Sequence, residues 1–129
     1  SLMGVIQLKK IDQIIIDRNN IRDMYIDELS NLGFVPQNID NNVLFNCQSV
    51  VFKVPTAISR NKLIFFLRSR NIESTLGTYS MSSNSYYLKK YNKVCPSSRY
   101  LEKNTITLPC YEGLDPSHII DEINSFHCQ

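Results

Sequence analysis

The chain has 129 residues, of which 43% are hydrophobic and 20% charged, and a formal net charge of +2. That length suits one domain around one core, and the composition is neither that of a disordered tract nor that of a membrane protein. With no clustered basic face, no signal peptide and no apolar run long enough to span a bilayer, the expectation is a cytoplasmic protein with no nucleic-acid or membrane partner.

Gly4 to Leu32 reads as one long helix, because Leu8, Ile11, Ile14/Ile15, Ile21, Tyr25, Leu29 and Leu32 repeat at helical spacing. Gly33 follows as a residue able to take the left-handed conformation that ends helices. Phe34-Val35-Pro36 is a short strand and Asn38 to Asn42 a polar loop. Leu44 to Val54 reads as the longest strand, with Val50, Phe52 and Val54 on one face and Val51 and Lys53 on the other, until Pro55 stops it.

Ser59 is the expected cap of a second helix that buries Leu63, Ile64 and Leu67 and places Arg68 and Arg70 at its negative end. The next stretch, Asn71 to Tyr79, leads into a hydroxyl-rich run of Ser80, Ser82, Ser83 and Ser85. Tyr86 to Tyr91 and Ser97 to Lys103 predict short helices, separated by Cys95-Pro96, and Thr105 to Leu108 a short strand closed by Pro109. In Gly113-Leu114-Asp115-Pro116, the aspartate is the expected cap and the proline the first residue of a last helix lined by Ile119, Ile120, Ile123 and Phe126. Strands and helices mix without regular βαβ alternation. The fold class is therefore α+β: a long N-terminal helix and a small antiparallel sheet with helices packed on one face.

Catalytic constellations are absent from the spacing. Cys47, Cys95, Cys110 and Cys128 form no C-x-x-C pair, so no metal site is expected and reduced thiols are the default. His118 and His127 have no nucleophile or carboxylate arranged around them. Ser59-Arg60-Asn61-Lys62 matches a Ser-x-x-Lys pattern, but a helix cap explains the same serine with no further partners and is the reading taken. The one suggestive segment interleaves Tyr79, Tyr86, Tyr87 and Tyr91 with serines and Lys89-Lys90. Neutral hydrogen-bonding groups beside flat apolar rings suit a sugar, and the same aromatics could instead cover core.

Three segments in register resemble the C-terminal part of the DegT/DnrJ/StrS family of sugar aminotransferases, which depend on pyridoxal phosphate (PLP). Gln7-Leu8-Lys9-Lys10-Ile11-Asp12 with Arg18 is similar to the helix leading into that family's small domain. Leu67 to Tyr79, ending Asn-Ile-Glu-Ser-Thr-Leu-Gly-Thr-Tyr, is similar to an L-x-x-x-G-I-E-T-x-x-G-T-Y segment, with Asn71 in the glycine position. Cys95-Pro96-Ser97 and Leu108-Pro109-Cys110-Tyr111-Glu112-Gly113-Leu114 match its L-P-x-Y-x-G-L before the last helix.

The resemblance implies that residues 1–129 are a single domain, the small domain of a fold-type-I aminotransferase with a long linking helix, an antiparallel sheet of about three strands and covering helices, whose PLP-holding large domain lies outside this sequence. None of the eight lysines stands in the family's Schiff-base motif, so no catalytic residue and no cofactor are expected in this chain. For the parent enzyme it implies PLP, transfer of an amino group from an amino acid (glutamate the expected donor) to a keto nucleotide-sugar, and a place in polysaccharide or amino-sugar biosynthesis. Tyr79, Ser82 and Tyr86 are its candidate substrate-binding residues, Ser82 standing where relatives often have histidine. The expected partners are the large domain and a second copy meeting it through the N-terminal helix. The alternative is a stand-alone binding or scaffolding module with this fold and no catalysis.

Overall fold

The computed structural model describes residues 2–40 and 42–128. Asn41, inside the expected polar loop, lies outside the described residues. Six helices are present: α1 (Leu2–Leu8), α2 (Ile11–Leu29), α3 (Arg60–Ser69), α4 (Ser85–Tyr91), α5 (Pro96–Asn104) and α6 (Ser117–His127). Four strands, β1 (Val35–Pro36), β2 (Val50–Lys53), β3 (Thr75–Leu76) and β4 (Thr105–Leu108), form one sheet in the order β1-β2-β4-β3. Every neighbouring pair is antiparallel, which makes the fold α+β as expected, with four strands where the resemblance implied about three.

The N-terminal helix is broken where the sequence predicts continuity. Lys9 and Lys10 form a turn in which the Lys10 amide reaches the Gln7 carbonyl at 3.0 Å, a tightened bond that separates α1 from α2. The apolar stripe divides accordingly. Ile21, Tyr25 and Leu29 are buried, Ile14 and Ile15 half-buried, and Leu8 and Ile11 exposed. After a 3-10 turn over Ser30–Leu32, Gly33 closes the helix at φ 84°, the left-handed stop its position called for.

The sheet packs one face on the helices. Val50, Phe52 and Val54 from the β2 region and Ile106 and Leu108 from β4 meet Tyr25 and Leu29 of α2, Leu63 and Leu67 of α3, and Ile119, Ile120 and Ile123 of α6. Phe52 is flanked edge-on by Tyr25 and Phe34, each ring centroid 6.4 Å away. Full burial of each such aliphatic or aromatic side chain stabilises the fold by about 1.5–3 kcal/mol.

Three local expectations are corrected by the hydrogen bonding. The long strand shrinks to Val50–Lys53, because the preceding segment is folded onto α2 rather than extended. Asn19 Nδ2 holds the Phe45 carbonyl at 3.0 Å, Asn46 Oδ1 accepts from the Gln48 amide, and Cys47 takes φ 47°. Ser59 occupies the cap position of α3 without a side-chain cap bond. The buried Arg60 beside it instead donates from Nη1 to the Thr105 carbonyl at 3.0 Å, tying α3 to β4. Pro116 and not Asp115 occupies the cap position of the last helix, which begins at Ser117, and Asp115 before it accepts from the Ser117 amide at 3.0 Å and hydroxyl at 2.7 Å. Those two bonds hold the exposed Asp115 carboxyl below its ordinary value.

Candidate functional site

The sheet face away from the core carries Val35, Val51, Lys53, Thr75, Thr105 and Thr107, placed together by the antiparallel register. Over this face runs Gly77, whose amide donates to the Thr105 carbonyl at 3.1 Å. A Cβ at Gly77 would overlap the Thr105 side chain and stand 2.7 Å from Val51 Cγ1, so the glycine of Leu-Gly-Thr-Tyr is required by close approach. Beside it lies an open cleft of 550 Å³, with Lys53, Gln37, Ser49, Thr78 and Thr105 as its polar lining.

From Gly77 the chain enters the serine-rich run, which forms an internal network. The buried Ser80 has its hydroxyl 3.1 Å from that of Ser82 and 3.0 Å from those of Ser83 and Ser98, while its amide donates to Glu102 Oε1 at 3.0 Å. Ser82 Oγ accepts the Cys95 amide at 2.9 Å, and Ser98 donates to the Cys95 carbonyl at 3.1 Å. These bonds pin the turn at Met81–Ser83 to the N-terminus of α5. Ser82, a candidate ligand contact in the sequence, thus has its hydroxyl engaged with the protein.

The tyrosines face outward. Tyr79 is 71% exposed and Tyr86 62% exposed, the Tyr86 ring resting edge-on against Tyr87 with centroids 5.1 Å apart. Helix α4 starts with the Asn84 side chain accepting from the Tyr86 amide. One turn apart, Tyr87 and Tyr91 stack with centroids 6.4 Å apart and planes 8° from parallel, and Lys90 Nζ lies 5.4 Å from the Tyr91 centroid. A shallow, mostly apolar hollow of 380 Å³ joins Ser82 to Tyr87, Tyr91 and Cys95. Of the three sequence candidates it contains Ser82 alone, and its rings are Tyr87 and Tyr91 rather than Tyr79 and Tyr86.

A further cleft of 590 Å³ opens between Asn71–Thr75, the end of β4 and the head of α6. It gathers Glu73, Tyr111, Asp115 and His118, and nothing in their sequence spacing brings them together. Ser74 Oγ, on the same segment, is buried without a hydrogen-bond partner among the described residues. Asn71 at φ 61° supplies the left-handed turn that its glycine counterpart would make. His118, read as a surface position on the last helix, is exposed at this cleft's edge.

The chain's own groups do not fit PLP. Lys53 is half-buried and every other lysine exposed, and the cleft that holds Lys53 has no carboxylate in its lining to face a pyridine nitrogen. Among the described residues no group of three or more His, Cys, Asp or Glu side chains could hold a metal ion, and no helix is long and apolar enough to cross a membrane.

A long N-terminal helical region and a four-stranded antiparallel sheet with helices match the small domain of aminotransferases. The chain belongs to the DegT/DnrJ/EryC1/StrS aminotransferase family, whose model matches residues 1–126. No curated protein sequence matches it. Among solved structures, Spr1654 of Streptococcus pneumoniae, classed with the sugar aminotransferases, superposes in its apo form with a TM-score of 0.84 at 21% identity, over 96% of this chain and 33% of its own. The same protein has been solved in PLP and PMP forms. PseC of Helicobacter pylori, an aminotransferase of pseudoaminic acid biosynthesis, gives 0.84 at 16% identity over 95% of this chain and 35% of its own. DesI, solved in the presence of its TDP-sugar product, gives 0.87 at 17% identity over 98% of this chain and 34% of its own. The chain therefore spans about a third of the length of these relatives and corresponds to their C-terminal third.

Proposed function

We propose that this chain acts as the small domain of a PLP-dependent aminotransferase that moves an amino group from an amino acid, glutamate being the expected donor, to a keto nucleotide-sugar. The observation that carries this reading is the superposition of nearly the whole chain on one third of enzymes that include DesI with its TDP-sugar. The remaining two thirds, a large domain bearing the Schiff-base lysine and the groups that hold the cofactor phosphate, would come from sequence outside this chain. PLP, bound there, would supply the electron sink for amino transfer.

This chain's own part is to shape and close the substrate side. Tyr79 and Tyr86 offer rings and hydroxyls to a sugar or base. Ser82, already accepting from the Cys95 amide, holds the loop that presents them. That division of labour supports the assignment of Tyr79, Ser82 and Tyr86 to the substrate side.

The test is a chimaera in which residues 1–126 replace the small domain of a family enzyme, assayed for amino transfer to keto nucleotide-sugars with glutamate. Turnover that falls when Tyr79 becomes Phe, with the unfolding midpoint unmoved, supports the reading. A folded, PLP-loaded chimaera that turns over no keto nucleotide-sugar favours the scaffolding alternative.

A further inference from the structure

Two of the four thiols converge on one backbone oxygen. Cys47 Sγ lies 3.3 Å and Cys110 Sγ 3.7 Å from the Arg18 carbonyl in the middle of α2, so both thiols are gathered around one atom. The sheet explains the meeting. Strands β2 and β4 pair with Val50 opposite Leu108, so the segment entering β2 and the segment leaving β4 emerge side by side at the same end of the sheet. The left-handed turn at Cys47 (φ 47°) then directs its side chain into the core, where it is fully buried. Asn19 holds the approach segment in place through the Phe45 carbonyl.

We propose that Cys47 and Cys110 are a modification site: a thiol pair that closes to a reversible disulfide under a low-molecular-weight disulfide such as glutathione disulfide. The bond would join the loop before β2 to the loop after β4 across the middle of α2. Tyr111, the next residue, lines the cleft at the head of α6, so the cross-link fixes one lip of that cleft.

The chemistry balances in two exchanges. Cys110 is half-buried and meets the oxidant first. Its sulfur, as thiolate, attacks one sulfur of glutathione disulfide; the S–S bond of the oxidant breaks, and one glutathione leaves, taking up a proton. Cys47 then attacks the Cys110 sulfur of that mixed disulfide, and the second glutathione leaves in the same way. In sum, two protein thiols are oxidised and one glutathione disulfide is reduced to two glutathiones. Burial pushes both thiols up, Cys110 to about 12, which makes the exchange slow at neutral pH without moving its end point. The guanidiniums of Arg18 and Arg22 pull the Cys47 thiol back toward ionisation, and the Asp23 carboxylate opposes them. The end point is set by proximity, because the second exchange is intramolecular, an advantage that the exposed Cys95 and Cys128 have no comparable contact to provide.

The experiment equilibrates the purified chain in buffers of rising glutathione disulfide to glutathione ratio, quenches in acid, blocks free thiols with N-ethylmaleimide and maps the peptides. The expected product is a Cys47–Cys110 linked peptide, the chain lighter by two hydrogens, formed at ratios where Cys95 and Cys128 are still mostly free. Cys47→Ser should stop at a single glutathione on Cys110, and Cys110→Ser should leave Cys47 unmodified. Absence of the linked peptide from wild type at the most oxidising ratio overturns the proposal, and the wild-type map decides this even if a variant fails to fold. Glutathione appearing on Cys47 in Cys110→Ser as fast as on the exposed thiols also overturns it, since Cys47 would then react through opening of the fold.

Discussion

Gly77 lies against Thr105 so closely that their backbones share a 3.1 Å hydrogen bond and no side chain fits between them. This contact is what turns the chain from β3 toward Ser80 and the outward tyrosines. Gly77→Ala should force the Thr105 side chain or the strand to shift and destabilise the fold by about 1–3 kcal/mol, the usual range for overpacking. Urea unfolding of the two proteins checks this, and an unchanged midpoint would mean that the overlap is relieved without strain.

Stability should fall on the alkaline side. Burial pushes the Tyr25 phenol far above its ordinary value of 10.0, and its hydroxyl donates to the Pro109 carbonyl at 3.1 Å. Burial likewise raises Cys47 and Cys110 above 9.0. All three stay protonated in the folded chain at a pH where the unfolded chain has lost those protons. Their contribution is therefore fully present below the unfolded values and is lost as pH climbs past them. Thermal scans should be flat in this respect below about pH 9 and then decline. Tyr25→Phe should flatten part of the decline while lowering stability at neutral pH, because the Pro109 carbonyl loses its donor.

Helix α1 should drive self-association when the chain is alone. Val5 (53%), Ile6 (48%) and Leu8 (68%) are exposed on a helix that buries none of its described side chains. An unpartnered apolar helix seeks cover, and a symmetric pair is the simplest closed arrangement. Sedimentation at several concentrations should show a dimer that Ile6→Glu with Leu8→Glu dissolves. A strict monomer at high concentration would leave α1 without this role.

Incubation with PLP followed by borohydride should leave no single lysine stoichiometrically pyridoxylated. Every lysine is open to water except Lys53, and Lys53 has no carboxylate in its cleft to orient the ring. Mass mapping that finds one dominant lysine adduct would contradict this and place cofactor chemistry within the chain itself.

The legible parts of the sequence were those where local rules and tertiary structure agree. Strand β4 was bounded by its own residues, with Thr and Ile alternating up to Pro109, and its limits match the reading. The left-handed Gly33 acts within a few residues of itself and is found in place, whereas the last helix starts one residue later than read, at Ser117 with Pro116 in the cap position. The break at Lys9-Lys10 was hidden because periodicity records apolar spacing and not whether a neighbouring surface exists; Leu8 and Ile11 keep the rhythm with nothing to bury them. The hydroxyl-rich character of 80–85 was plain, but its direction was not. Ser80, Ser82 and Ser83 turn toward one another and Ser98, while Tyr79 and Tyr86 face solvent. The approach of Cys47 and Cys110 to the Arg18 carbonyl and the grouping of Glu73 with His118 depend on tertiary packing, which no local pattern encodes.

The sheet's outer strands are two residues long on both sides, and the Pro36 end of β1 has no amide hydrogen to offer. A polypeptide looking for a free ladder to extend finds almost none on this domain, whereas a long flat edge would template stacking of one chain on the next. Even with its helices uncovered, the domain is guarded against fibre-like growth through its strands, and whatever it joins must come to it by side-chain packing.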